Sequence, residues 1–235
     1  MMQIRLFIDQ PLNVGRTVAL PENQIHYLRN VLRVQTGAEL FVFNGRDGEF
    51  AAVLSSLGKR DAEIQICRQL RGQPERRDVR LYFSPLKRDC TELVVEKATE
   101  LGATTIVPVI TQYTAMKRVN TERLRAVALE ACEQCRRLDV PEIGDPVTLP
   151  ELLAAQDETK PLLIHLDETG RGNKAAELFA GLDGAAFLTG PEGGFSDAER
   201  SMIAQTPHTA GLDLGERILR AETASIAALA LFMCR

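Results

Sequence analysis

A change of rhythm near residue 75 restricts the fold more than any other feature of this chain. Beyond it, five short apolar runs at 79–83, 105–110, 162–166, 185–188 and 209–214 have the length and composition of strands. A helical pattern follows each, at 90–101, 121–138, 175–182, 196–203 and 222–234. Gly102 closes the first of these helices, and Ser196 with Glu199 makes a capping box at the start of the fourth. Such alternation predicts a mostly parallel sheet covered on both faces. The run at 105–110 is read as a strand despite Pro108, whose missing backbone donor would otherwise suggest an edge or a bulge. Sheets of this kind bind ligands beyond the carboxyl ends of their strands. Attention therefore falls on the loops after residues 188 and 214.

The first 70 residues read differently. Residues 3–8 alternate like a strand, and Pro21 suits a first helical turn. Ile25, Leu28, Val31 and Leu32 then recur at helical spacing until Gly37. Strand-like runs at 39–43 and 49–57 flank a glycine-containing hairpin loop at 44–48, and 62–70 is a further strand. Strands packed this densely around one helix predict a small β-barrel. Residues 71–77 are polar and turn-rich, which places a domain boundary there and gives domains at 1–72 and 73–235.

Composition narrows the function. With 45% hydrophobic and 26% charged residues, the 235-residue chain is globular in type. No run approaches the roughly 20 apolar residues a membrane helix needs, and the N-terminal MMQIRLFIDQ lacks the layout of a secretory signal. Five cysteines, an odd number, make no disulfide framework. A cytoplasmic protein without membrane contact is expected. The net charge of −4 conceals a split: 11 Lys/Arg against 8 Asp/Glu in 1–77, 10 against 8 in 78–137, and 7 against 16 in 138–235. The basic part permits a nucleic-acid face. Cys132 and Cys135 have CxxC spacing on a helix with no second pair, so they are expected in a core or interface, and no metal site is expected. His165, at a strand end, is a candidate pocket-lining residue.

Two loops carry chemistry. TGPEGGFS at 189–196 holds three glycines between a buried strand and a capped helix. It serves either as a tight connection or as a backbone cradle for a small molecule. LGERILRAETA at 214–224 surrounds Ile218 and Leu219 with charge, an arrangement suited to a flat ring resting on aliphatic atoms. Arg220 can meet a phosphate or carboxylate and Glu222 can accept a proton, or the two can simply pair within the loop. The loops are read as following neighbouring strands.

These two segments resemble the C-terminal motifs of the RsmE family, bacterial 16S ribosomal RNA uridine-N3 methyltransferases of the SPOUT class. HYLRNVLR at 26–33, with Gly37 and the Phe43-Asn44-Gly45 run, is similar to that family's PUA-like RNA-binding domain. EKATELG at 96–102 and EACEQ at 130–134, with Arg137, Val140 and Pro141, match in order. The resemblance implies a C-terminal SPOUT domain with a deep trefoil knot, binding S-adenosyl-L-methionine in a homodimer that acts on 16S rRNA or the assembled small ribosomal subunit. It implies a cofactor pocket lined by Leu166, Gly190, Pro191, Gly193, Gly194, Leu214, Gly215, Ile218, Leu219, Arg220 and Thr223. Arg220, Glu222 and Arg5 are the candidate catalytic residues, because N3 of uridine must shed its proton before it can attack a methyl group. Arg29, Arg33, Lys87, Arg88, Lys117, Arg118 and Arg137 are the candidate RNA contacts, and Arg123 and Arg125 extend the basic group at the start of the long helix.

The chain departs from the family pattern in three places. Arg136 stands where glycine is usual, Tyr113 lies where an arginine-bearing segment is usual, and Lys87-Arg88 replaces a Lys-Gly pair. Two alternatives to the leading reading are a related SPOUT enzyme for another RNA nucleotide and a non-catalytic RNA-binding module that retains the cofactor loops.

Overall fold

The computed structural model describes residues 4–234. The chain forms two compact units. One contains the residues up to Glu75 together with Cys132–Val140, and the other contains Arg76–Ala131 and the residues from Pro141 onward.

The first unit is a five-stranded sheet of β1 (Arg5–Phe7), β2 (Thr17–Ala19), β3 (Glu39–Phe43), β4 (Glu49–Leu57) and β5 (Ala62–Arg71). The order is β1-β3-β4-β5-β2, parallel only between β1 and β3. Register shifts along β4 and β5 bend the pair. Among the described residues β1 and β2 do not pair, so the expected barrel is open on that side. Leu6, Leu28, Leu40, Val42, Leu54 and Ile64 form its buried core. The helix expected from Pro21 to Gly37 is shorter: α1 (Glu22–His26) passes into a π-turn at Tyr27–Val31. The chain has already reversed at Arg33, whose φ is +53°.

The segment 132–140 belongs to this unit because its backbone is held there. The long helix α3 (Thr121–Cys135) leaves its last carbonyls without helical donors. Arg5 supplies them. Its Nη1 donates to the carbonyls of Cys132 (2.7 Å) and Glu133 (3.2 Å), and Nη2 to that of Arg137 (3.0 Å). The remaining contacts go to Glu49, from Nε at 2.9 Å and Nη2 at 2.8 Å. Arg71 pairs with the other Glu49 oxygen and donates to the Arg136 carbonyl. Two guanidinium groups thus meet the negative end of a helix, where positive charge is stabilising. Phe43, Cys132 and Leu138 seal the apolar side.

The second unit is an eight-stranded sheet built from β6 (Val79–Phe83), β7 (Thr105–Ile110), β8 (Glu142–Ile143), β9 (Val147–Thr148), β10 (Leu163–Leu166), β11 (Asn173–Lys174), β12 (Ala185–Thr189) and β13 (Thr209–Asp213). The order is β11-β13-β10-β12-β6-β7-β8, with β9 also on β7, and every pairing is parallel. Central β12 is buried at all five residues, as its unbroken apolar run requires. The helices are α2 (Arg88–Glu100), α3, α4 (Leu149–Ala154), α5 (Ala175–Leu178), α6 (Asp197–Gln205) and α7 (Ala221–Met233). Sequence reasoning missed α4, although Thr148 and Glu151 make a capping box there.

Pro108 does not mark an edge or a bulge. It lies inside β7, opposite Phe83 of β6. The Ile106 carbonyl accepts from Gly144 on the β8 side, so by alternation the Pro108 nitrogen faces that side too. There β8 has ended and β9 has not begun, and the missing donor costs nothing.

Candidate functional site

Three strands, β13, β10 and β12, lie side by side in that order. The loops leaving their carboxyl ends surround one cavity of about 990 Å³. The loops after β12 and β13 were expected to leave neighbouring strands, but β10 separates them. Its own loop, Asp167–Arg171, forms the third wall. Sequence reasoning stopped at Leu166 and missed that wall, although its density of turn residues beyond an apolar run was a readable signal.

The first loop contributes Gly190, Pro191 and Gly194 to the cavity, and the second contributes Leu214 through Glu222 without a gap. Gly194 has φ +68°, and a Cβ there would stand 2.6 Å from Glu168 Oε1. Glycine makes this turn without the strain that a side chain would bring. Ile218 is 85% exposed, an apolar side chain left open at the mouth. Leu166, Ile218, Leu219 and Arg220 are brought together around this cavity.

Other expected residues are placed elsewhere. Gly193 and Thr223 are not in the cavity wall: Gly193 faces Tyr113, and Thr223 is an exposed residue of α7 between two that do line the site. Arg5 is a correction. All its N–H groups are engaged on Glu49 and three carbonyls, its side chain is 3% exposed, and it has no donor for a substrate. Arg137 is another: its side chain is 10% exposed and pairs with Asp139 at 2.8 Å, so it does not present a phosphate contact. Arg29, Arg33, Lys87, Arg88, Lys117 and Arg118 are exposed, and Lys87 also reaches the cavity. Arg88 is shared with Glu92. Arg123 is committed to a two-pronged pair with the same Glu92, and Arg125 to Glu122 and the Ile143 carbonyl. Cys132 is buried, which pushes its thiol up to about 12, whereas Cys135 is exposed.

Charge inside the cavity is finely divided. Glu222 has a side chain 13% exposed, lies 4.0 Å from Arg220 and receives a long contact of 3.9 Å from the Cys90 thiol. Arg200 pairs with Glu168 at 3.0 Å across the loops. Burial works against the Asp167 charge, but the N–H and hydroxyl of Thr169 donate to it and hold it below the ordinary carboxylate range. Burial pushes His165 below its ordinary 6.5 despite the neighbouring Asp167, so the ring is neutral at pH 7. Its Nδ1 is buried and has no hydrogen-bond partner among the described residues. Among the described residues no acidic, histidine and cysteine side chains cluster as a metal site, and no helix is long and apolar enough to cross a membrane.

The walls are braced by polar groups beneath them. The Ser196–Glu199 capping box is present, and the second Glu199 oxygen accepts from the Gln112 N–H at 2.8 Å. Ser84, Thr111 and Thr114 form a buried triangle of hydroxyls, and Thr114 also accepts from the Thr111 N–H. Thr189 meets Ser225 of α7 at 2.8 Å.

A cavity at the carboxyl ends of parallel strands admits many chemistries. Family models decide among them: an RNA methyltransferase domain matches residues 73–233 and an RNA methyltransferase PUA domain matches residues 20–67. The chain belongs to the RsmE family of RNA methyltransferases. Along 96% of its length it is 33% identical to the ribosomal RNA small subunit methyltransferase E of Rickettsia conorii, covering 93% of that protein. The RsmE enzyme of Neisseria gonorrhoeae, solved bound to S-adenosyl methionine, superposes with a TM-score of 0.89 at 31% identity, over 97% of this chain and 96% of that one. A methyltransferase of Legionella pneumophila in complex with the same cofactor gives 0.87 at 26% identity, over 100% and 98%. The α/β architecture, with a small N-terminal PUA-like domain before a parallel-sheet SPOUT domain, is that of RsmE proteins.

Proposed function

We propose that this chain uses S-adenosyl-L-methionine to methylate N3 of a uridine in 16S rRNA, as a homodimer acting in the cytoplasm. One observation carries the reading: three loops of adjacent parallel strands enclose a single cavity, in a chain that matches RsmE proteins nearly end to end. The residues present fit the cofactor. Ile218, Leu219 and Leu166 offer aliphatic surface to an adenine, the glycine-rich loop offers backbone donors and acceptors, and the buried His165 Nδ1 is an acceptor awaiting a partner. Bound there, the cofactor supplies a methyl group made electrophilic by its sulfonium.

The chain's own task is to remove the N3 proton and hold the resulting charge. Glu222, mostly buried at the cavity wall, is placed to take that proton. Arg220, 84% exposed at the mouth, is placed to meet a uracil oxygen or a phosphate. The chain must cross back from β13, beyond β10, to seat α7 against β12 and α2. The trefoil knot is assigned to that crossing. Exposed Leu93 of α2 and Leu231 of α7 lie on helices that pack together, and these two apolar side chains are what the second copy would cover.

The test is methylation of small-subunit particles from cells lacking this protein, followed by mapping of the modified base. A new methyl at N3 of one uridine is expected. A methyl on another atom or another RNA, or none, overturns the reading. Arg220→Ala is expected to bind the cofactor and to transfer no methyl; full transfer removes Arg220 from the mechanism.

A further inference from the structure

The chain has no tryptophan, nine phenylalanines and three tyrosines. Eleven of these twelve rings are buried or half-buried, and Tyr113 alone, 50% exposed, is an aromatic side chain open to solvent. It stands against the cofactor loop: a Cβ on Gly193 would lie 3.3 Å from the Tyr113 Cβ and 3.7 Å from its ring. The two neighbours of Gly193, Glu192 and Gly194, line the cavity. Tyr113 therefore sits at the rim.

The ring is presented on a fixed support. Thr111 and Thr114 bracket it in a turn closed by the Thr114 N–H on the Thr111 carbonyl. The buried hydroxyl triangle with Ser84 fixes that turn to the end of β6, and the bond from the Gln112 N–H to Glu199 fixes it to the start of α6. No acidic residue occurs between Glu100 and Glu122, and exposed Lys117 and Arg118 follow on the same segment. An open ring on a rigid turn, followed by two cations and set against the glycine loop that borders the cavity, has the chemistry of a nucleobase platform. Nucleobases unstacked from an RNA settle on aromatic faces while lysine and arginine hold the adjoining phosphates.

We infer that Tyr113 stacks on a base of the RNA substrate, the target uracil or its immediate neighbour, and so sets substrate affinity at the rim of the site. The inference rests on the proposed function and deepens it.

The experiment takes the full chain with small-subunit particles from cells lacking it, their RNA carrying 4-thiouridine for photo-crosslinking. Four quantities are read: the KM for particles with unlabelled RNA, the cofactor Kd by calorimetry, the melting temperature, and the residue crosslinked on irradiation. Tyr113→Ala is expected to raise KM about tenfold, the scale of one lost base stack, with cofactor Kd and melting temperature unchanged. Tyr113→Phe, which keeps the ring, is expected to restore KM to within about twofold, and the wild-type crosslink is expected at Tyr113. An unchanged KM in Tyr113→Ala, or a crosslink mapped elsewhere, overturns the stacking role while methylation by the wild type stands. A crosslink at Tyr113 with no methyl transfer by the wild type upholds the platform and overturns the uridine chemistry instead. Loss of cofactor binding in Tyr113→Ala would show a bracing role for the ring and also overturn the inference.

Discussion

Arg5 and Arg220 carry the same side chain into opposite surroundings, one 3% exposed and the other 84%. An arginine can serve a substrate only with donors to spare, and Arg5 has none. Arg5→Met leaves carbonyls of the α3 terminus without donors and Glu49 with one partner fewer. It should cost about 3 kcal/mol, the scale of a broken buried ion pair, in a chemical-denaturation measurement. A loss below about 1 kcal/mol would contradict the structural role. Gly194 is the opposite sort of residue, defined by what it lacks. An alanine there meets the Glu168 carboxylate, which can swing aside, but it must also hold φ +68°, which it resists by roughly 1–2 kcal/mol. Gly194→Ala should therefore fold and bind S-adenosylmethionine about tenfold or more weakly in calorimetry. Undiminished affinity would remove this turn from the cofactor cradle.

At the scale of elements, the departure from the family at residue 136 acquires a physical meaning. Arg136 follows the last turn of α3 with φ +64°, the left-handed position where a helix most often places glycine. Its side chain is exposed, and its carbonyl accepts from Arg71. Arg136→Gly keeps that carbonyl and relieves the backbone, so it should raise stability by about 1 kcal/mol; a destabilised variant would show that the arginine side chain holds something in place. Periodicity alone could not end this helix at Cys135, since an apolar stripe continues through Leu138 in the sequence and the left-handed residue is not a glycine. Pro108 looked out of place in its strand for a related reason. Its missing donor is harmless only because β8 and β9 leave a gap beside it, and strands of two residues are too short to give a period. The capping boxes, by contrast, act through residues three apart, and the one at Ser196 was legible from the sequence.

For the whole molecule, the sheet's strands and helices were readable because each run has its own period, whereas the order of strands depends on pairings far apart in sequence. That is why β10 was not placed between β13 and β12 and its loop entered the site unannounced, and why Tyr113 could be noticed as a departure but not placed beside Gly193. The same long-range packing gives the protein a pH signature. Burial lowers the His165 pKa below 6.5, so the unfolded chain takes up a proton on acidification before the folded chain does. The stability that this imidazole contributes is complete above pH 6.5 and is lost as pH falls through the lower, folded value. Asp167 and Asp213 are also held below 3.8. Burial opposes the Asp167 charge, but Thr169 outweighs it, while Asp213 is lowered by Lys174; both act in the same sense only in stronger acid. The melting temperature should therefore begin to decline below about pH 6.5 and fall more steeply below about pH 4. His165→Gln, which cannot titrate, should remove the first decline and leave the second. A melting curve flat from pH 7 to pH 5 in the wild type would show that the ring is not buried as the cavity wall requires.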